Sequence, residues 1–187
     1  MAKKEKKTTV IKEGAFCASE IHSIEWPEGI ISIGQDAFAH CENLEVVEIP
    51  DTVTEVGERA FLECVMMRSI SFSKSMLEIP LGCCSECLSL ETVNIPSNIT
   101  CIGYAAFIKC LCLKSVTIPE GVRRIEDSAF SFCYRLETIS LPASLETISD
   151  HVIDVCENLK EIYVPKGCRN KFAELMPEHA HLIKERQ

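Results

Sequence analysis

The feature that most constrains this chain is a repeat of 23 residues. Prolines stand at positions 27, 50, 96, 119, 142 and 165, and Ser73 fills the one gap in that series. Three further columns keep the same register: Cys41, Cys64, Cys87, Cys110, Cys133 and Cys156; Leu44, Met67, Leu90, Leu113, Leu136 and Leu159; and Phe38, Phe61, Cys84, Phe107, Phe130 and Ile153. A fixed period of this length is the signature of a repeat architecture.

One repeat unit contains the signals for one strand and one turn. It reads IGxxAFxxCxxLxxVxIPxxVxx, as in residues 33–55. The LxxVxI segment alternates apolar and other residues, which predicts a short strand, and the proline after it should end strand pairing because it has no N–H. The AFxxC segment is too short for a full helix and predicts one helical or 3-10 turn, with Gly34, Gly57 and Gly103 allowing a bend before it.

A unit of this length cannot bury its own apolar side, so the units are expected to stack. Stacking places equivalent strands ~4.8 Å apart in a parallel sheet. We therefore predict a single solenoid, with a parallel sheet of about seven short strands on the concave side and short helical or 3-10 turns on the other. The seven inward pairs are Ile24/Trp26, Val47/Ile49, Ile70/Phe72, Val93/Ile95, Val116/Ile118, Ile139/Leu141 and Ile162/Val164.

These motifs resemble the BspA-like leucine-rich repeats, whose pattern is close to LxxIxIPxxVxxIGxxAFxxC, over about residues 10 to 167. The resemblance implies an α/β leucine-rich repeat solenoid, a curved scaffold used for binding, often on the surfaces of bacteria and parasitic protists. Two units depart from the pattern. The first lacks one residue between Phe16 and Pro27, and the third has Phe72-Ser73 for Ile-Pro, Pro80 for the glycine and Cys83-Cys84 for Ala-Phe. We expect a local bulge or tilt at residues 73–84.

The repeat register also divides the chain. Residues 1–9 are predicted to be a flexible basic tail, 10–167 the solenoid, and 168–187 a C-terminal helical cap, since an open solenoid needs its apolar ends covered. Phe172, Leu175 and Met176 fall on one face of a short helix that could cover the last coil, and Pro177 should end or kink it.

Composition narrows the kind of partner and the compartment. The formal net charge of −9 argues against nucleic acid as the main ligand, because phosphate binding needs a basic face. No apolar run approaches the ~20 residues of a membrane span, and the lysine-rich start lacks the apolar stretch of a secretory signal. We therefore expect a cytoplasmic protein, with a surface location as the alternative that the resemblance implies.

The twelve cysteines are expected to be free thiols rather than disulfides or metal ligands. The six cysteines of the repeat column should form a buried structural ladder, with side chains too parallel to bridge. The CxxC formed by Cys84 and Cys87 falls on core columns, so no metal site is predicted. Cys17, Cys101, Cys112 and Cys168 are the thiols expected to meet solvent.

The outward-facing residues of the strands suggest one surface for binding a partner and one column of charges that would fix the alignment of neighbouring coils. The concave face carries mostly hydroxyl residues, and the candidate binding residues on it are Glu48, Asn94, Thr117, Glu161 and Tyr163. A second column alternates in sign and predicts a ladder of cross-strand ion pairs. Its members are Glu45, Arg68, Glu91, Lys114, Glu137 and Lys160.

No motif assembles an active site or a cofactor site: GxSxG, GxxxxGK[ST], HExxH and GxGxxG are all absent. The sequence therefore predicts a non-enzymatic protein-protein interaction scaffold that binds protein partners. The alternatives are a structural component of a larger intracellular assembly, a surface adhesin-type repeat protein, and an enzyme or thiol-redox sensor that uses Cys101 or Cys112. The identity of the partner and the oligomeric state do not follow from the sequence.

Overall fold

Short strands make up most of the regular structure of the chain. The computed structural model describes residues 9–149 and 151–186. The strands are β1 (Thr9–Ile11), β2 (Ile30–Ile33), β3 (Val46–Glu48), β4 (Glu55–Val56), β5 (Ser69–Ser71), β6 (Glu78–Ile79), β7 (Thr92–Asn94), β8 (Cys101–Ile102), β9 (Ser115–Thr117), β10 (Arg124–Ile125), β11 (Thr138–Ser140), β12 (Thr147–Ile148), β13 (Glu161–Val164) and β14 (Ile183–Glu185). The helices are α1 (Arg169–Leu175) and a 3-10 helix (Pro177–Leu182).

From β2 to β13, consecutive strands alternate between two faces of a parallel solenoid. One face, which we call the strand face, holds the sheets β3-β5-β7 and β9-β11-β13-β14. The second face holds the sheets β1-β2-β4 and β6-β8-β10-β12. Partners on the strand face are offset by the predicted 23 residues, so Val47 pairs with Ile70 and Ile70 with Val93. The predicted parallel solenoid is confirmed.

The strand count differs from the prediction in two ways. The inward pair Ile24 and Trp26 is half-buried and forms no strand, whereas β14, from the C-terminal segment, adds a strand beside β13. The second face was not predicted, because its strands are only two to four residues long. Each regular coil therefore has one strand on each face.

The prediction of helical or 3-10 turns in the repeats is wrong. In the described residues before α1, every AFxxC segment is a turn without helix. The N–H groups of Asp36, Phe38 and His40 donate across to carbonyls of the next coil at 3.0, 2.8 and 2.7 Å. Bonding alternately within and between coils puts two residues, four positions apart, in the left-handed region in each of the first six turns, with φ of 52 to 60°. The pairs are Gly14 and Ala18, Asp36 and His40, Arg59 and Glu63, Gly82 and Glu86, Ala105 and Lys109, and Ser128 and Phe132; Val155 has a φ of 57° in the last turn.

The phenylalanine column forms an aromatic stack inside the solenoid. Phe16, Phe38 and Phe61 lie parallel with ring centroids 5.2 and 5.4 Å apart. The stack is interrupted where Cys84 replaces phenylalanine. There the ring of Phe72, which replaces the usual isoleucine, meets Phe107 edge-on at 6.1 Å. The larger side chain of Phe72 therefore fills the space that is left by the smaller side chain of Cys84.

Both faces are interrupted at the degenerate repeat, but between different strands. On the second face, β4 does not pair with β6. In the regular coils the residue at the position of Pro80 donates its N–H to the preceding coil, as Gly57 does to Ile33 at 2.8 Å, and Pro80 has no N–H to make that bond. On the strand face, β7 does not pair with β9. The irregularity expected at residues 73–84 is thus a break in sheet pairing.

The C-terminal segment packs its apolar side against the last coil. Phe172 and Met176 are buried and Leu175 is half-buried, as their spacing predicts. Helix α1 ends at Leu175, before Pro177, which begins the 3-10 helix. At the other end, β1 already begins at Thr9, and residues 1–8 of the predicted tail lie outside the described residues.

Candidate functional site

The predicted binding residues of the strand face lie in two different environments. Glu48, Asn94 and Thr117 are exposed on β3, β7 and β9. Glu161 and Tyr163 are half-buried on β13, and the Tyr163 hydroxyl donates to the Glu161 carboxylate. Lys184 on β14 donates to the same carboxylate and lowers the pKa of Glu161. The polar groups of Glu161 and Tyr163 are therefore engaged within the protein.

The backbone of the alternating charge column is bonded from coil to coil except between Glu91 and Lys114, where the strand face is interrupted. The N–H of Arg68 bonds Glu45 at 2.8 Å, and that of Lys160 bonds Glu137 at 2.9 Å. Within residues 9–149 and 151–186, the only ion pair inside the column joins Lys160 Nζ to Glu137 Oε2 at 2.7 Å. That ammonium lowers the pKa of the Glu137 carboxyl. The predicted ladder of ion pairs is thus formed at one step of the column in the described residues and is absent from the others.

The six cysteines of the repeat column make the same bond in every coil. Each Sγ lies 3.0 to 3.4 Å from the carbonyl oxygen of a residue 26 positions earlier, or 25 for Cys41, as Cys64 does from Phe38 at 3.2 Å. That oxygen belongs to the turn of the preceding coil. Burial raises the pKa of the Cys64 and Cys110 thiols, and raises that of Cys156 to about 11. These thiols act as small buried donors that hold successive turns together.

The remaining cysteines differ from expectation at one position. Cys17 is exposed and Cys112 and Cys168 are half-buried, but Cys101 is buried in β8, where burial raises the pKa of its thiol. The expectation that Cys101 meets solvent is wrong, because the unpredicted strand β8 carries it. Across the described part of the chain, all twelve cysteines are unbridged, and no cluster of three or more His, Cys, Asp or Glu could hold a metal ion.

A histidine next to the repeat column also has a structural partner. His40 precedes Cys41 in the sequence, which suggests a Cys/His pair. The structure instead places His40 Nδ1 3.2 Å from the Glu63 carboxylate of the next coil. Because Cys41 Sγ faces the carbonyl of Phe16, the two side chains form no nucleophile and base pair.

An apolar surface that the sequence motifs did not predict lies beside the cysteine column. The residue after each ladder cysteine is apolar in four successive coils, and three neighbours extend this surface. We call the whole set the lateral stripe: Val65, Leu88, Leu111, Tyr134, Met66, Phe132 and Val155. Met66, Leu88, Tyr134 and Val155 are 37 to 45% exposed. The column of residues that follow the ladder cysteines could have revealed the stripe from the sequence, because its four apolar members lie between Glu42 and Glu157.

A cleft of about 300 Å³ lies where the strand face is interrupted, next to the lateral stripe. We call it the β7/β9 cleft; its lining residues are Glu91, Thr92, Cys112, Lys114, Ser115 and Arg135. Lys114 and Arg135 have no acidic partner within 4.0 Å among the described residues. The cleft is therefore a polar, cationic site bordered by apolar side chains.

Comparison with known proteins identifies the family of this solenoid. The sequence matches the BspA type leucine rich repeat region in six copies, over residues 9–122 and 78–175. The chain belongs to that family. No protein with a curated functional description matches the sequence.

Solved structures of bacterial leucine-rich repeat proteins share the fold. A leucine rich repeat protein from T. pallidum is 23% identical, with a TM-score of 0.77, and the match covers 89% of this chain and 87% of that one. A leucine-rich repeat protein from Bacteroides ovatus is 28% identical, with a TM-score of 0.60, over 83% of this chain and 47% of that one.

A leucine rich cell surface protein from Faecalibacterium prausnitzii is also 28% identical, with a TM-score of 0.58, over 84% of this chain and 35% of that one. The chain thus spans between about a third and a half of the Faecalibacterium and Bacteroides proteins. Among the described residues, no helix is long and apolar enough to cross a membrane.

Proposed function

We propose that this solenoid is a non-enzymatic protein-binding scaffold and that the lateral stripe is its main contact surface. The observation that carries the proposal is the stripe itself, which spans four coils and exposes Leu88 and Tyr134 by 37 and 40%. Contiguous exposed apolar surface on a folded protein marks a contact with another molecule. Tyrosine is, in addition, enriched among the residues that dominate binding energy.

The hydroxyl-rich strand face supports a secondary role in the same contact. Glu48, Asn94 and Thr117 are exposed there and can bond a partner that extends from the stripe across the strands. Glu161 and Tyr163 are weaker candidates, since a partner would have to displace the bonds that they make to each other and to Lys184.

The unbridged thiols support a reducing compartment, and we include a cytoplasmic location in the proposal on that ground. A structural role in a larger intracellular assembly uses the same surface. The two roles differ in stoichiometry: an assembly component is expected to elute with its partner at a fixed ratio, and an adaptor in variable amounts.

The proposal is tested by quantitative affinity purification from the source cells with a paired variant. Leu88→Lys combined with Tyr134→Lys places charge in the stripe, and Leu77→Lys, at a residue that is 65% exposed and lies outside the stripe, is the control. We expect proteins captured by the native chain to be lost with the stripe variant and kept with Leu77→Lys. Equal capture by all three chains would overturn the proposal, provided that circular dichroism shows each chain folded.

A further inference from the structure

The β7/β9 cleft has unfilled backbone bonding capacity. At equivalent steps next to the strands, a backbone N–H reaches the carbonyl of the preceding coil: Glu91 to Arg68 at 2.9 Å and Glu137 to Lys114 at 2.8 Å. The corresponding bond from Lys114 to Glu91 is missing from residues 9–149, and both of these residues line the cleft. Backbone groups need partners, so this site favours a ligand that can bond to main-chain groups.

The charge of the cleft selects an anionic ligand. Lys114 and Arg135 help to lower the pKa of Glu137, but that carboxylate is already bonded to Lys160 at 2.7 Å. Glu91 is the only acid that lines the cleft, so the two cations outnumber it. On a chain with a net charge of −9, this local excess of positive charge is unusual and attracts carboxylates.

The apolar residues at the border of the cleft favour a ligand that carries an apolar group beside its carboxylate. Leu88 precedes Glu91 by three residues, Leu111 precedes Cys112, and Tyr134 precedes Arg135. The lateral stripe therefore runs along the rim of the cleft. A ligand that places a carboxylate between Lys114 and Arg135 brings its neighbouring groups onto the apolar side chains of Leu88 and Tyr134.

We propose that the β7/β9 cleft binds an extended segment of a partner protein in which an Asp or Glu stands beside a bulky apolar residue. This proposal rests on the proposed protein-binding function and specifies the chemistry of the bound segment. The carboxylate lies between Lys114 and Arg135, the apolar side chain lies on Leu88 and Tyr134, and the segment's backbone bonds to the free groups of β7 and β9. A nucleic acid strand would meet only these two cations on an acidic protein, which is too little for phosphate-driven binding.

The test is a selection from a random octapeptide display library on the immobilised full chain, followed by fluorescence anisotropy with the selected peptides. We expect enrichment of peptides that combine Asp or Glu with Leu, Phe or Trp. Binding should weaken about tenfold when both cations are reversed in Lys114→Glu with Arg135→Glu. The matched control is Lys74→Glu with Arg123→Glu, which reverses two exposed cations outside the cleft and should leave binding unchanged.

Each result decides the matter. Enrichment of basic peptides, no enrichment, or equal binding by the cleft and control variants would overturn the proposal, as would tighter binding of a single-stranded DNA oligonucleotide than of the selected peptides. The cleft variant is also taken through the affinity purification. If it keeps the partners that the stripe variant loses, the cleft inference fails and the proposed function stands; if neither variant loses partners, the proposed function fails.

Discussion

The glycines that precede three of the turns, Gly34, Gly57 and Gly103, are predicted to be required for close approach of the coils rather than for backbone conformation. A Cβ atom added at Gly57 would lie 2.3 Å from the backbone nitrogen of Gln35 and 2.6 Å from the carbonyl carbon of Gly34. Ordinary contact begins near 3.4 Å, so Gly57→Ala must move two backbones apart by about 1 Å. Gly167, by contrast, has a φ of +80° and nothing within 4 Å of such a Cβ.

A shift of that size breaks the bonds that join the two coils. The bond from Gly57 to Ile33 is 2.8 Å long, and those from Asp36 to Glu58 and from Phe38 to Ala60 are 3.0 and 2.8 Å. Losing three such bonds at about 1 kcal/mol each lowers the free energy of unfolding by about 3 kcal/mol. Gly167→Ala should cost only about 1 to 2 kcal/mol, the strain of a left-handed residue with a Cβ.

Urea unfolding monitored by circular dichroism measures both variants against the native chain. The expected order is native, then Gly167→Ala, then Gly57→Ala as the least stable. Equal losses, or a larger loss for Gly167→Ala, would show that neighbouring coils can separate at little cost and would refute the reasoning.

Three further outcomes follow from the described contacts. Val155 is a β-branched residue with a φ of 57° and is 45% exposed, so Val155→Gly should raise the free energy of unfolding by about 1 kcal/mol, measured as a higher urea midpoint. Lys160→Met removes the exposed pair with Glu137 and should lower the urea midpoint slightly at low salt and less still at high salt, and a loss independent of salt would contradict an ionic origin. The folded-state pKa of Cys156 is raised to about 11, so stability should be full below the ordinary thiol pKa and fall as pH rises toward 11. Cys156→Val should make that fall shallower in unfolding measured across the same pH range, and the part that remains comes from the other buried thiols.

The column register was enough to predict the interior of the solenoid. A residue type that recurs every 23 positions must meet its own copy in the next coil, so Val47 over Ile70 and the buried cysteine column follow from counting alone. The same reasoning failed for the turns. Taken alone, the AFxxC segment is compatible with one helical turn. In the stacked coils, however, its N–H groups can also bond to carbonyls of the next coil, and the structure shows that these inter-coil bonds form instead of a helix.

The candidate site was harder to predict than the core. The lateral stripe was present in the columns, but single apolar residues at exposed positions are common and become informative only when their neighbours in space are known. The β7/β9 cleft carries no sequence mark, since Thr92 and Ser115 are ordinary strand residues. It depends on the mutual packing of coils that the degenerate repeat displaces.

The interruption of the two faces at different strands has a mechanical consequence. Strand β6 pairs only forward, with β8, while β7, which follows it in the chain, pairs only backward, with β5. The polypeptide therefore crosses the junction three times between β5 and β8. Such a junction can flex under torsion, yet tension along the long axis is shared by three covalent crossings and cannot pull the halves apart unless a whole coil unravels.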